Sequence, residues 1–323
     1  MRTPTGGAFE TVGLIGLGLM GRGIAACLLA HGLEVVAYNR TARRAKEAER
    51  HIARTLAELV AKRVVPRARV RGWRRRWTPV RTLAALAPCG FIIETVKEDL
   101  ALKRRIYDEL ESVVSPRTVV ASNTSSFPAT LLQKGRRHPE RFIVMHWAEP
   151  AAVTRYLEIV RGAKTGARAA RLAREIGICC GKEPTVLNFD VRGFISNRLM
   201  YAKMREACHL VESGVADVVT VDRSFRNDIG WWATLAGPFR WMDLTGIPAY
   251  ATVMKGLFPE LCNSKKLPAM MKRIVARGAQ GIANRKGFYR YTRASAKAWE
   301  RAWVDFTFDV RRLVEKYEKR VPL

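Results

Sequence analysis

The chain has 323 residues, too many for one ordinary core and enough for two domains or one large α/β domain with an appendage. Apolar residues make up 48%, which excludes a disordered chain, and a formal net charge of +28 favours polyanionic partners: nucleic acid, a membrane surface or phosphorylated small molecules. The six cysteines form no C-x-x-C and no Cys/His spacing that suits zinc, so they read as reduced, mostly buried thiols of a cytoplasmic protein with no metal.

The first apolar stretch, "VGLIGLGLMGRGIAACLLA", is punctuated by glycines, interrupted by Arg22 and preceded by Glu10. It therefore reads as neither a signal peptide nor a membrane span. Thr11 to Ile15 predicts a buried strand, Gly16 to Gly21 a turn, Arg22 to His31 a helix and Glu34 to Tyr38 a second strand. This is a β-turn-α-β unit with a crossover of the size that a parallel pair needs. Its turn is Gly-x-Gly-x-x-Gly: Gly16, Gly18 and Gly21, with Leu19 and Met20 between the last two. The first glycine permits the tight turn, the second lets backbone approach a pyrophosphate, and the third allows close helix–strand packing. The helix N-terminus faces the phosphate charge. Strand, turn, helix and strand in this order are the context that makes the motif a dinucleotide site.

The end of the second strand selects between cofactors. An acidic residue there would accept a hydrogen bond from the ribose 2′-hydroxyl of NAD, but the sequence has Asn39-Arg40-Thr41, with Arg43 and Arg44 close by. Cations and a hydroxyl suit a 2′-phosphate, so NADP(H) is the favoured cofactor, with NAD(H) the alternative.

Ala42 to Arg63 reads as a long charged helix, broken at Pro66 and followed by "RARVRGWRRRWTPVR" and a helix-like piece over Val80 to Leu86. Strands are expected at Phe91 to Glu94 and Thr118 to Ser122, with a helix between them. Two more, Phe142 to His146 and Tyr156 to Val160, are joined across Pro150. A helix over Ala167 to Ile176 and an apolar Thr185 to Asn188 close this half. After Asp190 the periodicity turns helical: Phe194 to Ser213, Thr220 to Asp228, Pro248 to Leu257, Leu267 to Val275 and Ala294 to Lys319. The expected fold is an α/β Rossmann-like N-terminal domain, residues 1–190, followed by an all-α C-terminal domain, residues 191–323.

"IIETVKEDLALKRRIYDEL" followed by "ASNTSSFPATLL" resembles the 3-hydroxyacyl-CoA dehydrogenases. So do "GFISNRLMYAKMREACHLVESG", "GPFRWMDLTG" and "KGFYRY", in that family's order and near its spacings, so that the resemblance runs from about Val12 to Tyr291. It implies that His146 is the catalytic histidine and Glu158 its partner carboxylate. It implies that Ser125 and Asn197 contact substrate in the active site, and that Glu98 and Lys103 contact cofactor. Thr55 and Lys62 fall where the family binds the coenzyme A portion. The resemblance also implies a homodimer formed through the helical domain.

Chemistry agrees with these assignments. Oxidising a secondary alcohol requires a base for its proton as hydride leaves, and a neutral imidazole suits this at cellular pH. A carboxylate behind the ring fixes its tautomer and stabilises imidazolium. Ser125 and Asn197 can hydrogen-bond the reacting oxygen or its neighbouring carbonyl. An unpaired carboxylate in an apolar strand is costly, so Glu158 needs a partner.

Three features depart from the family. Its usual His-Phe-Phe-Asn-Pro is here His146-Trp147-Ala148-Glu149-Pro150, which points to Trp147 and Glu149 as substrate-binding residues and to an altered acyl pocket. Ala283 stands where a cofactor-touching lysine is usual, with Arg285 and Lys286 as substitutes. Residues 292–323 extend past the usual end as an extra helix, with Trp299, Trp303, Phe306 and Val310 on one side to pack on the helical domain or a second subunit. The arginine–tryptophan stretch reads as an electropositive lip for a phosphorylated substrate or as a solvated basic face, not as a nucleic-acid reader. Two alternatives stand beside the leading expectation of a dehydrogenase of 3-hydroxyacyl-CoA type. One is a reductase or dehydrogenase of a small hydroxy acid, ketone or imine that carries no coenzyme A. The other is a dehydrogenase fold kept only for binding.

Overall fold

A computed structural model of the chain describes residues 11–320. Residues 1–10 and 321–323, the outer ends of the two expected domains, lie outside the described residues. The chain forms two compact units that meet in sequence between Ile195 and Ser196.

The first unit is built on an eight-stranded sheet: β1 (Thr11–Ile15), β2 (Glu34–Tyr38), β3 (Trp77–Val80), β4 (Phe91–Glu94), β5 (Val119–Ser122), β6 (Phe142–Trp147), β7 (Tyr156–Val160) and β8 (Glu183–Leu187). Their spatial order is β3-β2-β1-β4-β5-β6-β7-β8. Every neighbouring pair is parallel except β6 and β7. The sequences Phe-Ile-Ile-Glu and Val-Val-Ala-Ser of β4 and β5 are buried at every position, as central parallel strands covered on both faces must be. Helices α1 (Leu19–Ala30), α2 (Ala42–Ala61), α3 (Leu100–Val113) and α4 (Ala167–Cys179) belong to this unit. In α2, Ala48, Ile52, Leu56 and Leu59 recur at one-face spacing, so a helix with so many charged residues still buries a stripe beside α1.

The chain order reverses at β1, which lies between β2 and β4. In open α/β sheets the crevice beyond the strand carboxyl ends at such a reversal is where ligands bind. The join between the units falls a few residues later than the helical periodicity suggests. Phe194 is fully buried in the core of the first unit, alongside Tyr107, Phe142 and Val160.

The sequence pattern misreads one strand. Trp77–Val80, which overlaps the helix-like reading of Val80 to Leu86 only at Val80, is the edge strand β3, and Leu83–Leu86 forms a helical turn of 3-10 type. Arginines and Pro79 disguise it. An edge strand tolerates proline because one side of its backbone needs no partner, and among the described residues β3 pairs only with β2.

The second unit contains helices over Ser196–Glu212, Val218–Asn227, Pro238–Thr245, Ile247–Leu257, Ala269–Ala276 and Arg293–Glu318. The Pro238–Thr245 helix is not evident from periodicity, although Gly237-Pro238 is a start signal with proline at the first helical position. The last helix opens on a capping box between Thr292 and Ser295. Its buried positions are Ala296 and Phe308, whereas Trp299, Trp303 and Phe306 are exposed. The aromatic side, expected to pack on the helical domain or a second subunit, is uncovered among the described residues.

Candidate active site

The glycine turn is clamped from the next strand. Gly16 has φ 94°, and its amide donates to Tyr38 O at 3.0 Å. Thr95, just past β4, donates its hydroxyl to Ile15 O at 3.0 Å and Gly16 O at 2.9 Å. A Cβ on Gly21 would stand 2.1 Å from Gly16 O and 2.6 Å from Thr95 Oγ1, which fixes glycine there. At Gly18 an added Cβ would meet nothing within 4 Å, so the backbone faces open space. Leu19 and Met20 open α1, whose first turn carries no acidic residue. Open backbone at a helix N-terminus without opposing charge fits the pyrophosphate of a dinucleotide.

At the end of β2, Asn39 Nδ2 donates to Thr41 O and Thr41 Oγ1, both at 3.2 Å. Arg40 is exposed. Arg44 and Arg43 are engaged by Glu47, at 3.6 and 3.7 Å. Of the three cations expected to greet a 2′-phosphate, two thus share a carboxylate, and Arg40 is the one immediately beside Asn39.

Past β4, Glu98 organises the loop after β5. Its carboxylate accepts from the Thr124 hydroxyl, from the amides of Ser125 and Ser126 at 3.1 Å, and from Ser126 Oγ at 2.8 Å. Burial alone would raise its pKa, but the Thr124 and Ser126 hydroxyls, the Lys103 charge and the Ser125 amide together hold it below the ordinary value. Ser125 is exposed, with its backbone fixed by this loop.

Lys103 lies buried beside Glu98. Its side chain is 0% exposed, and its ammonium pairs with Glu94 at 2.8 and 3.0 Å and with Glu98 at 3.4 Å. Tyr107 and Ser122 hydroxyls also donate to Glu94, each at 2.7 Å. An ammonium sealed in this network offers no surface to a cofactor; it supports Glu98 from beneath.

His146 and Glu158 are directly opposed in the antiparallel β6–β7 pair. His146 Nδ1 lies 3.0 Å from Glu158 Oε2 and 2.9 Å from the Tyr156 hydroxyl. That hydroxyl also donates to Glu158 Oε2 at 2.5 Å. With its proton so committed, the tyrosine accepts from Nδ1–H. This tautomer places the imidazole lone pair on Nε2. Glu158 Oε1 accepts from Ile195 N at 3.0 Å, and the Phe194 ring lies 5.5 Å from the imidazole centroid. Glu158 is 2% exposed, so these bonds are what make its burial tolerable.

Trp147 follows His146 on β6. It is 2% exposed, and its ring lies under the Lys182 ammonium at 5.1 Å. Successive strand residues point to opposite faces, so the residue after His146 is sent away from the imidazole. Only its backbone approaches the site, through a bond from Trp147 N to Asn123 Oδ1 at 2.9 Å. Glu149 lies beside α1: a Cβ on Gly23 would be 3.7 Å from its Oε2. Burial pushes the Glu149 carboxyl up, against the Ala151 amide and the Arg22 charge.

Thr55 and Lys62 belong to α2 and its cap. Thr55 Oγ1 lies 3.4 Å from His51 Nε2, and burial, then Arg22 and Arg54, push His51 down to about 4. Asn197 is in the first turn of the Ser196–Glu212 helix, in the second unit. Sequence reasoning overlooked Tyr156, Thr95 and Asn123. Tyr156 sits two residues before Glu158, and strand alternation puts the two on one face, which is the signal that could have found it.

Comparison with known proteins gives a consistent result. Residues 11–190 match the model of the 3-hydroxyacyl-CoA dehydrogenase NAD binding domain, and residues 193–291 match that of the 3-hydroxyacyl-CoA dehydrogenase C-terminal domain. A 5-formyl-3-hydroxy-2-methylpyridine 4-carboxylate 5-dehydrogenase of Mesorhizobium japonicum is 33% identical, over 96% of this chain and 99% of its own length. A 3-hydroxybutyryl-CoA dehydrogenase of Bradyrhizobium diazoefficiens is 32% identical, over 87% and 95%. Among solved structures, a 5-formyl-3-hydroxy-2-methylpyridine 4-carboxylic acid 5-dehydrogenase described as an NAD+-dependent dismutase superposes with a TM-score of 0.89 at 30% identity, covering 95% of this chain and 99% of that one. An (S)-3-hydroxybutyryl-CoA dehydrogenase of Ralstonia eutropha gives 0.74 at 27% identity, covering 88% and 100%.

Proposed function

The chain belongs to the 3-hydroxyacyl-CoA dehydrogenase family of nicotinamide-dependent oxidoreductases, and on that premise we propose that it interconverts a 3-hydroxy and a 3-oxo acyl substrate with His146 as general acid and base. The observation that carries this reading is that Glu158 Oε2 and the Tyr156 hydroxyl both meet His146 Nδ1 while Tyr156 donates to Glu158, an arrangement that favours the proton on Nδ1 and the lone pair on Nε2. The dinucleotide would be held by the Gly16–Gly21 turn and the α1 N-terminus, with Asn39, Arg40 and Thr41 at its adenosine end and Glu98 in the loop beyond β4. When bound, it supplies the acceptor or donor of the hydride. His146 Nε2 takes the hydroxyl proton as the carbinol C–H bond breaks, and returns it in the reverse direction. Glu158 stabilises the imidazolium so formed. Ser125 and Asn197 hydrogen-bond the reacting oxygen or the neighbouring carbonyl. Thr55 and Lys62 stand ready for a coenzyme A nucleotide, and Arg40 gives NADP(H) the advantage over NAD(H). The exposed apolar side chains of the second unit, among them Trp231, Phe239 and Leu244, support a homodimer formed through it.

A second substrate reading has its own support. The Mesorhizobium relative, 33% identical over 96% of this chain, is named for a pyridine carboxylate and not for a thioester. On that reading a small ring-bound alcohol or aldehyde replaces the acyl thioester, with the same proton transfer at His146. A substrate panel separates the two. Acetoacetyl-CoA, longer 3-oxoacyl-CoAs, free 3-oxo acids and 5-formyl-3-hydroxy-2-methylpyridine 4-carboxylate would each be followed at the nicotinamide absorbance band, with NADH, NADPH and their oxidised forms. Turnover confined to thioesters supports the first reading; turnover confined to compounds without coenzyme A replaces it with the second. Absence of turnover with every substrate and cofactor would overturn both.

A further inference from the structure

At the opposite end of α1 from the glycine turn, Cys27 and His31 occupy i and i+4 on one helix face, and Cys180, the residue after α4, meets them. Cys27 is 0%, Cys180 1% and His31 8% exposed, and the three donor atoms all lie within 4.8 Å of one another. We propose that these residues form a binding site for one thiophilic divalent cation of the zinc type, which ties α1 to the turn between α4 and β8.

Two sulfurs and an imidazole form a donor set suited to zinc and cobalt and poor for magnesium or calcium. Around a tetrahedral zinc, donors stand roughly 3.5–3.8 Å apart, given metal–ligand bonds of about 2.0–2.3 Å. Cys27 Sγ and His31 Nδ1 are already 4.0 Å apart, so a small inward shift closes the set. Nδ1 now contacts Cys27 O at 2.8 Å and would exchange that contact for the metal. Binding breaks two S–H bonds and forms two sulfur–metal bonds and one nitrogen–metal bond; both thiol protons go to solvent, Nδ1 gives up the proton it donates to Cys27 O while Nε2 takes one from solvent, and no electrons change hands. Cys27 Sγ already reaches the turn it would be tied to, donating to Cys180 O at 3.7 Å, and that turn is braced where the Lys182 ammonium donates to Ala151 O at 2.5 Å and to Thr154 O. A water completes four-coordination.

The test uses the full chain, reduced and freed of metal by chelation, titrated with Co2+. The expected result is a sulfur-to-cobalt charge-transfer band in the near ultraviolet that saturates at one equivalent and is displaced by Zn2+. The melting temperature should rise with Zn2+ relative to chelator. Cys27→Ser and Cys180→Ser should abolish the band, and His31→Ala should weaken binding by about tenfold or more. A Cys89→Ser, Cys208→Ser, Cys262→Ser triple variant should retain it. Failure of the wild-type protein to develop the band would overturn the proposal without any variant. Persistence of the band in a folded Cys27→Ser protein would also overturn it. So would a Cys27–Cys180 disulfide formed in air by a protein whose reduced form takes up no Co2+, since the pair would then be a redox crosslink.

Discussion

Replacing Glu158 with glutamine keeps the shape of the site and removes its charge. The carbonyl of the new amide can still accept from Ile195 N, now 3.0 Å from Oε1, so the local backbone holds. The Oε2 position becomes an NH2 group facing His146 Nδ1 at 3.0 Å and the Tyr156 hydroxyl at 2.5 Å. Two donors now meet where one acceptor served both. The tyrosine must turn its proton elsewhere, and the amide favours the imidazole tautomer with its lone pair on Nδ1. Nε2 then carries a proton and cannot act as the base. The lost charge-assisted bond contributes about 1.5–3 kcal/mol, and a misplaced tautomer raises the total toward the full value of general acid–base catalysis, about 10²–10⁴-fold. Steady-state kinetics at the nicotinamide band should show kcat reduced by about that factor with KM little changed. A folded Glu158→Gln enzyme with kcat within about threefold of wild type would refute the orienting role.

Gly21→Ala should weaken nucleotide binding by about tenfold or more and destabilise the fold by about 1–3 kcal/mol, because its Cβ meets Gly16 O at 2.1 Å; calorimetric titration with NADPH and a thermal melt check both. Lys103→Met leaves Glu94 buried without its cation and should cost about 3–5 kcal/mol in a urea titration, less whatever the Tyr107 and Ser122 hydroxyls recover. Arg40→Ala should weaken NADPH by about tenfold and leave NADH unchanged in paired binding measurements; equal losses for both would remove Arg40 from 2′-phosphate recognition.

The parts of the fold that were legible in the sequence are those set by local chemistry. The glycine turn announced itself because three glycines at fixed spacing follow an apolar run and open a helix, and Gly16 and Gly21 do meet steric demands that only glycine satisfies. His146 and Glu158 were visible as chemically expensive residues in apolar strands, and the antiparallel register sets them opposite each other. What stayed hidden depends on the side to which a residue points or on a distant partner. Trp147 was assigned to substrate by its place in a motif, although period-two alternation already turned it away from His146. Lys103 was assigned to cofactor by its match to a family position, whereas the Glu94 that encloses it lies at the end of β4, on a different element. β3 was obscured by arginines and a proline that only an edge position accommodates. The Cys27, His31 and Cys180 cluster has half of its signal in an i, i+4 pair; the rest arrives from the end of α4, far along the chain.

The account stands most directly on one comparison, wild type against His146→Gln in a single-turnover assay with saturating cofactor and the preferred substrate of the panel. The account predicts nucleotide affinity unchanged and the hydride-transfer rate lowered by about 10²–10⁴-fold. A folded His146→Gln protein that transfers hydride at the wild-type rate would contradict it.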